Sequence, residues 1–171
     1  ARAGQWARSL RMIDEMRSRG VQPDVIPYNT ALDGLARAGE CETALELLDE
    51  MVGAGGGVEP GVTAYRCAAD ACARAGEWAL VAGLFHDMRR SGGVQPDVEV
   101  YNVLLRACAR MRDDEGRADA LLDEMRAHGL APDVVSYNCA IVAAANARRP
   151  AHARGLTDAM GAAADGAPPP T

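Results

Sequence analysis

Hydrogen-bonding side chains recur on a fixed beat along this chain. Asn29, Arg66, Asn102 and Asn138 each directly follow a tyrosine, and Tyr28, Tyr65, Tyr101 and Tyr137 are 37, 36 and 36 residues apart. The stretches that carry them read PDVIPYN at 23–29, PGVTAYR at 60–66, PDVEVYN at 96–102 and PDVVSYN at 132–138. A second set, Asp24, Gly61, Asp97 and Asp133, follows the opening proline of each stretch. A third set, Arg2, Arg37, Arg74 and Arg110, recurs at steps of 35, 37 and 36. An amide offers both a donor and an acceptor, a carboxylate accepts only, and a guanidinium carries five donors and a fixed positive charge. Such groups at constant spacing suit recognition of an extended ligand.

The residues that would make or break bonds are not arranged to do so. His86, His128 and His152 lie in different copies of the pattern, without metal-ligand spacing. A phosphate-binding loop needs a lysine, and the chain has none. Neither a nucleophile elbow nor a deaminase signature is present. The expectation is a chain that is not an enzyme and holds neither metal nor cofactor. Cys41, Cys67, Cys72, Cys108 and Cys139 form no CxxC pair, and an odd, scattered set predicts small core residues with reduced thiols in an intracellular compartment.

The elements that must position these residues follow from the period itself. Self-similarity near 36 residues marks stacked supersecondary units. Of the 171 residues, 49% are hydrophobic but only 4% aromatic, so Ala and Leu must build a core of close-packed helices. Within each copy the apolar residues keep a helical spacing: Tyr28, Leu32 and Leu35; Tyr65, Ala69 and Cys72; Tyr101, Leu105 and Cys108; Tyr137, Ile141 and Ala144. Gly39 and Gly76 then punctuate the chain. A second helical stretch ends on Met51, Met88, Met125 or Met160, and carries Ala44 and Leu48, then Val81, Leu84 and Phe85, then Leu121 and Leu122. Tyrosine to methionine is 23 residues in three copies and 24 in the third, so length variation falls in the turns. The predicted organisation is a partial repeat over 1–24 (a second helix, from Trp6 through Leu10, Ile13 and Met16), whole repeats over 25–61, 62–97 and 98–133, a partial or degenerate repeat over 134–160, and a disordered tail over 161–171. The fold class is all-α: a right-handed α-solenoid of antiparallel helix pairs. The pattern is already under way at Ala1, so the chain reads as a piece of a longer array whose targeting segment lies elsewhere. No apolar run approaches the roughly 20 residues of a membrane helix, and no membrane partner is expected.

Tyr-Asn early in the first helix, an Ala-Gly turn, a second helix ending in Glu-Met, and then Gly-Val-x-Pro-Asp resemble the pentatricopeptide repeat family over residues 1 to about 160. The tetratricopeptide repeat is the nearest competitor, but Trp6 and Trp78 start second helices here, and the Pro-Asp-Val and Tyr-Asn elements fit the pentatricopeptide pattern better. The resemblance implies binding of single-stranded RNA, one base per repeat. It implies that the residue after each Tyr and the residue after the Pro closing that repeat read the base. On this chain the pairs are Asn29 with Gly61, Arg66 with Asp97, and Asn102 with Asp133, while Asn138 begins a pair whose partner falls in the tail. Ile26, Thr63, Glu99 and Val135 stand where a side chain packs on the base. Asn102 with Asp133 is similar to the family's uracil-preferring combination. Arg66 is not a usual reader, Gly61 has no side chain, and Glu99 places a carboxylate where an apolar residue is usual. The residues allow a second reading of the acids: Asp24, Asp97 and Asp133 each stand where a helix N-cap belongs.

Charge is distributed unevenly. The formal net charge is −6, and all 18 basic residues are arginine. The first-helix segments 25–38, 62–75, 98–112 and 134–149 hold eight arginines against three acids, so the balance of the chain is strongly acidic. Stacking would line Arg37, Arg74 and Arg110 along one edge, where RNA phosphates would follow them. Arginine near a helix C-terminus is also favoured by the helix dipole alone. The function expected is sequence-selective binding of single-stranded RNA. By the resemblance it serves RNA processing, stability, editing or translation in a mitochondrion or plastid, alongside other RNA-processing proteins. The alternative is a helical-repeat scaffold for protein–protein interaction.

Overall fold

The computed structural model describes residues 3–53, 57–91, 93–111 and 116–164. Among these residues regular structure is entirely helical, in nine helices. The chain divides into two compact units, Ala1–Pro96 and Asp97–Thr171. The first contains α1 (Ala3–Ser18), α2 (Val25–Ala38), α3 (Cys41–Val52), α4 (Val62–Ala75) and α5 (Trp78–Arg90). There α1 packs on α2, α2 on both α3 and α4, α3 on α4, and α4 on α5. The second contains α6 (Val98–Met111), α7 (Arg117–Ala127), α8 (Val134–Asn146) and α9 (Pro150–Ala164). There α6 packs on α7 and α8, α7 on α8, and α8 on α9. Each unit is therefore built in the manner of an α-solenoid: a helix pair, with the first helix of one pair laid against the first helix of the next.

The tyrosines anchor this arrangement. Tyr28 and Tyr101 are fully buried, and Tyr65 and Tyr137 nearly so. Met51, Met88 and Met125 close the second helices from wholly buried positions, with Leu32, Leu35, Val81, Leu105 and Leu122 between. A buried phenol needs a partner for its hydroxyl. In two copies the partner is the arginine that follows the closing methionine: Arg17 donates to the Tyr28 hydroxyl, and Arg126 donates to that of Tyr137 at 3.2 Å. Arg17 also pairs with Glu50 and lies 5.9 Å from the Tyr28 ring centroid. Tyr101 takes a different partner, the His128 Nδ1 at 3.4 Å.

The turns within helix pairs follow from one backbone requirement. Gly39 and Gly76 adopt φ of 77° and 88°, and their amides donate back to the carbonyls of Leu35 and Ala36, and of Cys72 and Ala73. Glycine enters this left-handed conformation without a Cβ clash. Both lie eleven residues after their tyrosine; the equivalent position after Tyr137 is Arg148, which carries φ 57°.

Some sequence expectations need correction. Cys41 and Cys72 are joined as a disulfide, with Cα atoms 4.5 Å apart, where reduced thiols were expected. The packing of α3 on α4 sets the first turn of one against the last turn of the other, which a separation of 31 residues does not reveal. Phe85, Cys108, Leu121 and Ile141 are only partly buried. In α9 the buried residue is Leu156 rather than Met160, because among the described residues no later helix packs on α9. That helix runs to Ala164, carried past Gly161 by alanines, which favour helix most. The rest of the expected tail, like Arg2, lies outside the described residues.

Arg148 supplies a test of the turn. A left-handed backbone costs a residue with a Cβ roughly 1–2 kcal/mol, of which glycine's extra chain entropy returns part. Arg148→Gly should therefore stabilise the protein by about 1 kcal/mol, read as a higher urea midpoint at unchanged slope. Gly76→Ala, where a Cβ would meet no heavy atom within 4 Å, should lower the midpoint through backbone strain alone.

Candidate nucleic-acid interface

Asp133 is the N-cap of α8, with φ −94° and ψ −179°, and its side chain forms a capping box with Ser136. The Ser136 amide donates to Asp133 Oδ1 at 2.8 Å, and the Asp133 amide donates to Ser136 Oγ at 3.2 Å. Because α8 lies against α6, this cap abuts Asn102 in the second turn of α6. The Asn102 Nδ2 group donates to both Asp133 oxygens, at 3.3 and 3.2 Å. Its Oδ1 accepts the Ser136 hydroxyl at 2.6 Å. A carboxylate can only accept, so the amide must turn its NH2 toward Asp133 and its oxygen toward Ser136. Ser136 is fully buried and Asn102 is 8% exposed, while the Asp133 side chain reaches solvent.

Burial pushes the Asp133 carboxyl up, but the amide and hydroxyl of Ser136, the Asn102 side chain and the Val135 amide together outweigh it and hold the group below 3.8. Sequence reasoning placed Asn102 and Asp133 together and missed Ser136. The signal for it was a capping pattern, an Asp followed three residues later by a side chain that can bond back to it.

The other pairs differ. Asn29 is half-buried, and its Oδ1 is sealed from solvent without a hydrogen-bond partner. Gly61 caps α4 with no side chain, and Ala64 stands where Ser136 stands in the later copy. The structure thus brings no side chain to complete Asn29. Arg66 pairs along its own helix with Asp70 at 3.9 Å, and it belongs to a different unit from Asp97. Asn138 is exposed on α8. Asp24 and Asp97 accept from the amides of Ile26 and Val100 at 3.0 and 2.9 Å, so both are caps. Capping and contact with Asn102 coexist in Asp133.

The positions expected to pack on a base all face solvent. Ile26 is 71% and Val135 48% exposed, and Thr63 and Glu99 are also exposed. Two aliphatic side chains held in water at equivalent places offer flat apolar contact to a ring. Arg37, Arg74 and Arg110 are exposed near the ends of α2, α4 and α6. Arg37 shares its charge with Asp33 at 3.0 Å. In the first unit Arg74 begins beside the α2–α3 turn, its Cβ 3.4 Å from where a Cβ on Gly39 would sit. No grouping of His, Cys, Asp and Glu suited to a metal occurs among the described residues. No helix among them is long and apolar enough to cross a membrane.

The carboxyl of Asp133 can be followed directly. Its folded-state pKa is depressed, so its stabilising contribution is present above 3.8 and is lost as pH falls below that toward the folded value. Ser136→Ala should raise the Asp133 pKa toward 3.8, seen in a carbon-detected NMR titration of the side-chain carboxyl, and should shrink the acid-dependent loss of stability in that window.

Three comparisons bear on this arrangement. The family model described as "Pentatricopeptide repeat domain" matches residues 83–147, and models described as "PPR repeat" match 19–52, and 1–21 with 63–93. A curated relative, the chloroplastic pentatricopeptide repeat-containing protein 10 of Zea mays, is 41% identical over 56 residues, which is 32% of this chain and 7% of that protein. Among solved structures, PPR10 from maize in complex with an 18-nt psaJ RNA element superposes with a TM-score of 0.68 at 24% identity, over 92% of this chain and 22% of its own. The PPR domain of Arabidopsis thaliana protein-only RNase P 1 in complex with tRNA reaches a TM-score of 0.76 at 17% identity, over 92% of this chain and 81% of its own. The chain thus spans a small part of the PPR10 it matches. With its recurring Pro-Asp-Val and Tyr-Asn elements set on stacked helix pairs, and with family models matching 1–52 and 63–147, the chain belongs to the pentatricopeptide repeat family.

Proposed function

We propose that this chain is part of an array that binds single-stranded RNA sequence-selectively, by repeats over 25–61, 62–97 and 98–133. The observation that carries the reading is the Asn102–Asp133 contact. It joins the two positions that the family pattern pairs as readers, and with one N–H shared between the two carboxylate oxygens the amide keeps one N–H and one lone pair for a base edge. Val135, exposed one residue after the opening Val134, supplies an apolar surface for the ring. Arg37, Arg74 and Arg110 supply charge for phosphates. RNA is bound by PPR10 and tRNA by the protein-only RNase P 1 domain in the solved structures. The role assigned here is binding without catalysis, in organelle RNA processing, stability, editing or translation. A plastid or a mitochondrion is the setting, and the chloroplastic relative supports an organelle. At 25–61, where Asn29 lacks a partner side chain, the repeat accepts bases without choosing among them.

The reading is tested on the array that contains these repeats, by fluorescence anisotropy against RNA oligonucleotides. Replacing Arg37, Arg74 and Arg110 together with Gln should weaken binding and flatten its salt dependence by about 2 in the log–log slope, at roughly 0.7 per phosphate contact on a single strand. Asn102→Thr should move the preferred base at one nucleotide from uracil toward guanine. Affinity indifferent to salt, together with base preference indifferent to Asn102→Thr and Asp133→Ala, would show a protein-binding scaffold instead.

A further inference from the structure

We propose that Ser136 is a specificity-determining positioning residue: the Asp133 carboxylate sets which way round the Asn102 amide lies, and the Ser136 hydroxyl holds the amide in that orientation against a base. This rests on the reading of Asn102 as a base reader, and extends the recognition unit from a pair to a triad that spans α6 and the start of α8.

The argument starts from the strength of the contacts. The two bonds from Asn102 Nδ2 to Asp133 measure 3.3 and 3.2 Å, at or beyond the long end of the N–H···O range, and they divide one donor group between two oxygens. The Ser136 hydroxyl bond to Asn102 Oδ1 is 2.6 Å, and Ser136 is fully buried. The same oxygen accepts the Asp133 amide at 3.2 Å and lies 3.0 Å from Asp133 Oδ1, so the three groups sit in one cluster with the hydroxyl's single proton on the Asn102 side. The short bond is the one that pins the amide plane.

Orientation matters because of the order of groups on the bases. Along the edge shared by ring position 3 and exocyclic position 4, uracil presents a donor and then an acceptor, whereas cytosine presents an acceptor and then a donor. An amide held in one orientation pairs with only one of these orders, and the same amide rotated by half a turn pairs with the other. Asn29 shows the state without the lock. Gly61 and Ala64 give it neither carboxylate nor hydroxyl, and its Oδ1 is buried with no partner. Nothing about the backbone there forbids the missing groups. Gly61 has φ −88° and ψ −179°, close to the −94° and −179° of Asp133, and a Cβ on it would meet no heavy atom within 4 Å. Ala64 is as fully buried as Ser136.

The test uses the array containing these repeats and RNAs that differ only at the nucleotide facing 98–133. Ser136→Ala should lower the uracil-over-cytosine ratio roughly three- to tenfold, the effect of one lost hydrogen bond, with the Ser136 amide still capping α8 and the thermal midpoint showing a folded array. Ser136→Thr, which keeps the hydroxyl, should restore the ratio. Asn102→Thr reports on the underlying reading. If it leaves base preference unchanged, the assignment of Asn102 as a reader fails, and this proposal with it. If Asn102→Thr shifts preference while Ser136→Ala leaves the ratio intact, the reader stands and the role of Ser136 is overturned. A gain-of-function arm gives a second measurement: Gly61→Asp with Ala64→Ser should create uracil-over-cytosine preference at the nucleotide facing 25–61, and more than Gly61→Asp alone. Equal discrimination by the single and double variants would overturn the proposal.

Discussion

Close approach of consecutive first helices is the constraint on which the rest depends. In the first unit α2 packs on α4, and Ala31, Ala64, Ala68 and Ala71 on these helices are wholly buried. In the second, α6 packs on α8, and Ala107, Ala140 and Ala144 on these helices are buried. Small side chains let the two backbones come near, and only then can the cap of one helix reach a side chain in the second turn of its neighbour.

The same closeness explains how one aspartate performs two tasks. An N-cap carboxylate satisfies amides at its own helix start, which takes up one oxygen's best lone pair. A carboxylate has capacity for about four such bonds. Asp133 uses its remainder on Asn102 and stays ionised to lower pH than an ordinary aspartate. Asp24 and Asp97 show the cap by itself. Helix capping and contact with the amide are therefore layers of one arrangement, and the residue type alone cannot separate them.

Much of the architecture was legible in the sequence because solenoid packing is local. The Tyr-to-Met spacing reported the helix pair, and Gly39 and Gly76 reported its turn, since both arise from contacts within one repeat. What was not legible depends on contacts across repeats or on context. The Cys41–Cys72 link joins residues whose types carry no pairing information. Leu156 replaces Met160 in the core because burial requires a following helix. Arg148 takes a conformation that its type disfavours, because the turn geometry is imposed by the flanking helices. Ser136 was overlooked because a serine early in a helix has an ordinary explanation, and its second contact is with a residue 34 positions away. Asn29 was equally readable as type and position, yet its lack of a partner comes from the absent side chain of Gly61 and the methyl of Ala64 acting together.

The tyrosine braces bear on how such chains can be cut and rejoined. Tyr28 opens one repeat, but the arginine that satisfies its hydroxyl, Arg17, ends the second helix of the repeat before; Tyr137 and Arg126 are related in the same way. A helix pair lifted out at its own borders would leave the phenol behind a severed bond, and would present a lone guanidinium to whatever was spliced in. The exchangeable module is thus out of phase with the visible one. At these two seams a chimera joined in the second helix, ahead of the closing methionine and arginine, would inherit the bond and one joined in the loop would not, whereas Tyr101 meets His128 within its own repeat.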